Sequence, residues 1–221
     1  WISALGIERM MHGVYLLEPH LTEADRSALR RVLTREADWL VSDYQRGQHR
    51  GIVADRWAAS GKNAPESNVW NGALLWRAAV MYPDAPQAGD WRDAAQRFLV
   101  NAVSVPEDVG RDPRCVGANF FGSYALDHHG YLNVGYMVVC VSNAAMLHFD
   151  LRLKGLEAPP ELHQHQRDLW YVVRRMIFSN GRLARIGGDS RIRYAYCQEY
   201  LVPSLLYAAD HLGDGHAMDL A

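Results

Sequence analysis

Apolar residues recur at i, i+3 and i+4 through most of the chain, the spacing that lines one face of an α-helix. Ile2 to Leu17 carries the pattern first and stops ahead of Pro19, whose ring cannot continue a helix. Thr22 is an N-cap residue with Glu23 and Asp25 behind it, which predicts a second helix to about Tyr44. Pro65 opens a third that runs to about Met81 and halts at Tyr82-Pro83, and Gln87 to about Val103 is a fourth. The fifth is expected from His129 to about Phe149 with Asp127 as its N-cap, and the sixth from Pro159-Pro160 to Phe178. Tyr196 to Leu212 is the seventh, in which Pro203 kinks the helix or marks its start.

Two segments break this rhythm. Arg46 to Ala64 is polar and contains glycine, a long loop, and Asn180 to Tyr194 alternates around Gly187-Gly188. No sequence repeat has a fixed period. Helices joined by short connectors, often apolar on both faces, predict an all-α fold. The expected form is an incomplete (α/α) toroid or barrel of antiparallel helical hairpins, with one short β-hairpin or ordered loop near 180–194. A single domain over residues 1–221 is expected. The opening at Trp1 and the loose GDGHAMDLA tail suggest a segment of a longer protein.

Composition changes the picture only by exclusion. With 221 residues, 49% of them apolar, the chain can bury one well-packed domain. A net charge of -2 and a charged fraction of 22% point to no nucleic-acid platform. No apolar run approaches the roughly 18 residues of a spanning helix, so no membrane insertion is expected. Cys115, Cys140 and Cys197 are odd in number and lack CxxC spacing, which predicts buried thiols rather than a disulfide framework or a zinc ribbon.

Candidate chemistry lies where polar residues interrupt the helices. Trp57, Trp70, Trp76, Tyr124, Tyr131 and Tyr136 fall in or near polar, glycine-containing segments. Such rings either fill wide helix–helix gaps or give flat surfaces for sugar faces. In PESNVWNGALLW, Asn68 and Asn71 share a helix face at i, i+3, and an inward-facing pair would offer amide donors to a carboxylate or an enolate-like oxygen. In SYALDHHGYLNVGYM, a helix begun near His129 would set His129 and Tyr136 on one stripe, with Asn133 between them and His128 pointing elsewhere. An imidazole beside a phenol supplies two proton-transfer groups; a capped helix whose His and Tyr plug the core explains the same residues. Arg182, Arg185, Arg191 and Arg193 crowd the late loop around Asp189, either to grip a carboxylate or as a solvated basic loop.

Metal, phosphate and serine-triad patterns are missing. His163 and His165, at i, i+2, diverge on a helix, His128 and His129 point apart, and no HExxH, GxGxxG or GxSxG occurs. No metal and no cofactor is expected.

The strip SYALDHHGYLNVGYM, together with SNVWNGALLW, resembles the helical-toroid polysaccharide lyases of the chondroitin, hyaluronate, alginate and heparin group. That family carries Ser-aromatic-x-x-His-Gly followed by a tyrosine, and an asparagine near a tryptophan on an earlier helix. The resemblance covers mainly residues 65–137. It implies His129 and Tyr136 as the proton-transfer pair, Asn68 as the carboxylate neutraliser, and an arginine such as Arg193 beside it. Trp70, Asn71, Tyr131, Arg185, Arg191 and Glu199 would bind substrate. His128 stands where the family more often has glutamine, Tyr131 competes with Tyr136, Asn71 competes with Asn68, and the sandwich domain that usually follows is absent.

The implied reaction is β-elimination of a uronate-containing polysaccharide or oligosaccharide, with an acidic saccharide as partner. Two alternatives stand beside it. One is a glycoside hydrolase on the same scaffold using Glu66, Asp127 and Glu199; the other is a non-catalytic sugar-binding or scaffold domain. A lyase would be periplasmic or secreted, the other possibilities cytoplasmic. The oligomeric state is left open by the sequence.

Overall fold

Pro65 at the first helical position and a run apolar on every side bury α3 (Pro65–Met81) on nearly all faces. Its neighbour α4 (Ala88–Val100) packs close against it at Gly72. A Cβ there would lie 2.7 Å from Leu99 Cγ and 3.1 Å from the Ala95 carbonyl oxygen. The computed structural model describes residues 2–44, 52, 63–184 and 196–220, without the side chains of 2, 196 and 197. Trp57, Arg185, Arg191, Arg193, Gly187-Gly188 and most of the hairpin expected near 180–194 lie outside them.

The described residues are mostly helical, as the periodicity requires. α1 is Ile2–Leu17, α2 is Glu23–Trp39, and a π-helical turn over Leu40–Tyr44 carries Leu40 and Tyr44 into the core. Thr22 caps α2 in a capping box with Asp25. A second buried helix, α5 (Val134–Leu153), is packed by α1, α3, α6 (Gln166–Arg174), α7 (Tyr196–Glu199) and α8 (Leu201–Asp210). Against the sequence expectation, α5 is long and apolar enough to cross a membrane, and 78% burial of that stretch inside the fold marks it as a core helix here.

Several boundaries differ from the pattern, each for a local reason. The expected sixth helix is split. Pro160–His163 forms a 3-10 turn, and His165, at φ 55°, leaves the helical region before α6 begins. The seventh divides at Tyr200, so Pro203 sits in the first turn of α8, where its missing N–H has no helical acceptor to lose.

The largest correction falls on the expected fifth helix. Asp127–His128 (β1) and Tyr131–Leu132 (β2) pair antiparallel, with Asp127 opposite Leu132 and His128 opposite Tyr131. The two residues between them, His129 and Gly130, have φ of 62° and 84°, as a two-residue type I′ hairpin turn demands. The helix therefore starts at Val134, and its N-cap is Asn133, whose side-chain oxygen accepts from the Tyr136 N–H at 3.1 Å, rather than Asp127.

A buried charge network locks three helices. Arg77 on α3, with no exposed side-chain surface, donates from Nε and Nη2 to both oxygens of Glu8 on α1 at 2.8 Å each. Arg77 Nη2 also reaches Asp150 Oδ2 on α5 at 3.0 Å, and His12 Nδ1 lies 2.7 Å from the other Asp150 oxygen. Tyr15 lies beneath the guanidinium, 5.2 Å from its ring centroid.

Candidate functional site

The type I′ turn is what assembles the site, because it folds the two histidines back over the start of α5. The His128 and Tyr136 rings lie 4.4 Å apart, those of His128 and His129 lie 4.1 Å apart, and His129 stands edge-on to Tyr136 at 5.6 Å. His129 is exposed at the turn and Tyr136 is half-buried, so both can meet a ligand from solvent. A non-glycine residue at φ 62° costs roughly 1–2 kcal/mol, and such strain gathers at functional positions.

His128 is the buried member. Asn63 fixes its tautomer: the Asn63 amide nitrogen donates to the Asp127 carbonyl, so its oxygen, 2.8 Å from His128 Nδ1, accepts from that nitrogen. The remaining nitrogen, Nε2, keeps its lone pair. Burial first, and the neighbouring His129 second, push the His128 pKa down to about 3, so the ring is neutral across the physiological range. An uncharged base with a fixed tautomer thus packs against Tyr136. Asn133 ties the hairpin to the helix, since its amide nitrogen also lies 3.3 Å from the Tyr131 hydroxyl.

A second group sits at the first turn of α3. Glu66 is buried, and desolvation pushes its pKa up to about 7, offset in part by its own backbone N–H and by Ser67. One carboxyl oxygen lies 3.4 Å from Ser67 Oγ, and the other has no hydrogen-bond partner among the described residues. The Tyr44 hydroxyl and the Cys140 thiol are both pushed up, chiefly by burial, with the Glu66 charge adding to each. The Asn71 side chain, which works the other way on Tyr44, is buried and has no hydrogen-bond partner among the described residues.

The structure thus unites part of the expected set. His129 and Tyr136 come together, though through a hairpin and not along a helical stripe, and His128 joins them instead of pointing away. Asn68 donates to the Asn101 carbonyl at 3.0 Å and so ties α3 to the end of α4. Trp70 is 6% exposed and packs in the core with Tyr44 and Phe98, which leaves it no open face for a sugar. Tyr131 is half-buried beside the site and Glu199 is exposed on α7. Asn63, which sequence reasoning passed over, carried no signal beyond lying in a polar loop.

Two further features lie apart from these residues. Asp108, His165 and Tyr124 form a carboxylate–imidazole–phenol chain, with His165 Nε2 3.0 Å from both Asp108 oxygens and Nδ1 3.1 Å from the Tyr124 hydroxyl. The Tyr124 pKa is pushed up to about 12 by burial and by nearby carboxylates, which keeps the phenol a donor and makes this chain a pin between loops. A cleft of about 660 Å³ beside α5 and α8 is apolar, with Met146, Phe149, Leu206 and Met218 in its wall, and among the described residues none of the expected site residues lines it. No protein-family model, no curated protein and no solved structure matches this chain.

Proposed function

We propose that the chain is the helical, toroid-type part of a carbohydrate-active enzyme that cleaves an acidic saccharide by β-elimination, with Tyr136 and His129 as its proton-transfer pair. The observation that supports this most is the packing of Tyr136 against a pair of imidazoles, one exposed and one buried. In the reaction, Tyr136 first passes its phenolic proton to the adjacent imidazole; as phenolate it then takes the proton alpha to the uronate carboxylate, and the freed electron pair forms the C4–C5 double bond. The C4–O bond breaks, and the leaving oxygen takes a proton from Tyr136 or His129. Negative charge grows on the carboxylate as the proton leaves, so a cation held there supplies the largest share of the rate. Asn68 being engaged with Asn101, that role passes to the arginines of the late segment, Arg193 with Arg185 and Arg191.

The test is incubation with alginate, heparan and chondroitin substrates while ultraviolet absorbance follows the unsaturated uronate product. Tyr136→Phe is expected to lower the rate on the order of 10²–10⁴-fold, the usual share of a positioned acid–base group. Absence of the unsaturated product from all three with the parent protein overturns the proposal for those substrates.

Hydrolysis is the second reading, and the raised pKa of Glu66 favours it, since a general acid must hold its proton near neutrality. Hydrolysis also needs a second carboxylate roughly 5–9.5 Å away. Among the described residues no carboxylate is hydrogen-bonded to Glu66, and this supports elimination as the first reading. Reducing-end release abolished in Glu66→Gln would reverse that order.

A further inference from the structure

Three histidines from distant parts of the sequence converge at the far end of α5. His148 lies on α5, His163 ends the 3-10 turn at Pro160–His163, and His211 caps the C-terminus of α8. Their rings are 4.0 Å apart for His163 and His211, 4.9 Å for His148 and His211, and 5.4 Å for His148 and His163. One nitrogen from each lies within 4.8 Å of the other two. We propose that His148, His163 and His211 form a binding site for a divalent transition-metal ion, with zinc the best match.

Imidazole is the common ligand for zinc, copper and nickel, whereas magnesium and calcium take oxygen. A tetrahedral zinc with Zn–N near 2.05 Å sets its ligand nitrogens about 3.3 Å apart, so the triad needs only small side-chain rotations to close. The surroundings are those of a metal site beyond its direct ligands. The Asp210 carboxylate lies 3.1 Å from His148 Nε2, and Arg152 holds the same carboxylate. That leaves His148 Nδ1 for the ion, in the carboxylate–histidine–metal arrangement that fixes ring orientation. The Tyr207 hydroxyl lies 2.6 Å from His163 Nδ1, which leaves His163 Nε2 in the same way, and Tyr207 stacks on His211 at an interplanar angle of 11°. Tyr207 itself is buried, so the partner of His163 is held by the core.

The C-terminal end of α8 adds its negative dipole end beneath His211. His211 is the exposed member, so with three protein ligands the fourth coordination position faces solvent. Such an open site can bind water or a small anionic ligand, and it stands apart from His129 and Tyr136. It also joins α5, the 160–163 turn and α8, so bound metal would clamp these three segments.

The test uses tag-free protein stripped with a chelator and titrated with zinc chloride by calorimetry, with cobalt(II) as a spectroscopic substitute. The expected result is one equivalent of zinc, a higher melting temperature, and the visible absorption of tetrahedral cobalt. Asp210→Asn is expected to weaken zinc about 10–100-fold, and His211→Ala, at an exposed position, by more than that. His216→Ala, at another exposed histidine, serves as the control and should change nothing. Absence of stoichiometric zinc binding, or binding that survives His211→Ala with circular dichroism showing an intact fold, overturns the proposal.

Discussion

Glu66 and His128 are two buried titratable groups whose pKa values move in opposite senses for the same cause. For each, burial penalises the charged form. Glu66 holds its proton to about pH 7 in the fold, against 4.5 for an ordinary glutamate. Between those values the unfolded chain has already released its proton, so folding stability falls as pH rises through the window, by up to about 3 kcal/mol. Glu66→Gln removes that penalty. The variant is expected to resist denaturant better than the parent at pH 8 and no better at pH 4.5, and equal changes at both would discard the buried-carboxyl account. His128 works from the other side, with a pKa near 3 in the fold against 6.5 in the unfolded chain. Its contribution is intact above pH 6.5 and is lost as pH falls towards 3, by up to about 1.4 kcal/mol per pH unit. His128→Gln should flatten that acid limb, which unfolding midpoints measured from pH 6.5 down to 4 will show.

At the scale of the element, the hairpin before α5 decides which side chains face one another. The sequence signalled an N-terminus near Asp127, and both Asp127 and Asn133 are good caps. What chose Asn133 is the His129-Gly130 turn, whose two positive φ angles cannot be the first turn of a right-handed helix. Gly130 has open space around its Cβ position, so the cost of Gly130→Ala there is backbone strain alone. That variant is expected to lose about 1 kcal/mol of stability, and Gly130→Asn less, because asparagine tolerates left-handed backbone. Equal melting temperatures for Gly130→Ala and the parent would contradict the turn. Any saccharide cleavage should weaken along with stability, since His129 and Tyr136 meet only through this turn.

At the scale of the whole molecule, the Arg77–Glu8–Asp150 network fixes how α1, α3 and α5 sit together. Removing one member leaves uncompensated buried charge, so Arg77→Ala is expected to cost about 3–5 kcal/mol. A triple replacement of Glu8, Arg77 and Asp150 by apolar residues of similar volume should recover most of that loss. Denaturant unfolding of the two variants compares them directly, and a triple variant as weak as Arg77→Ala would show that the network does more than neutralise itself. The apolar cleft beside α5 and α8 and the three-histidine cluster are likewise features of this scale, since each draws on segments far apart in the chain.

The sequence by itself determined the elements whose cause is local. Pro65 and Pro19 set helix ends, Thr22 with Asp25 set a cap, and 3.6-residue periodicity drew α1 and α3 to their observed limits, because these signals act within a turn or two of chain. It also picked out the stretch holding His129 and Tyr136 from its polar interruption of an apolar run. Only the tertiary structure decided which neighbours each polar group has. Asn63 reaches His128 across 65 positions, Asn68 is drawn to Asn101, and Trp70 falls in the core rather than at a surface. His163, matched by spacing with His165, belongs instead with His148 and His211. Burial and pairing depend on the packing of remote helices, and hydrophobic spacing along a chain shows which face is buried without showing what it is buried against.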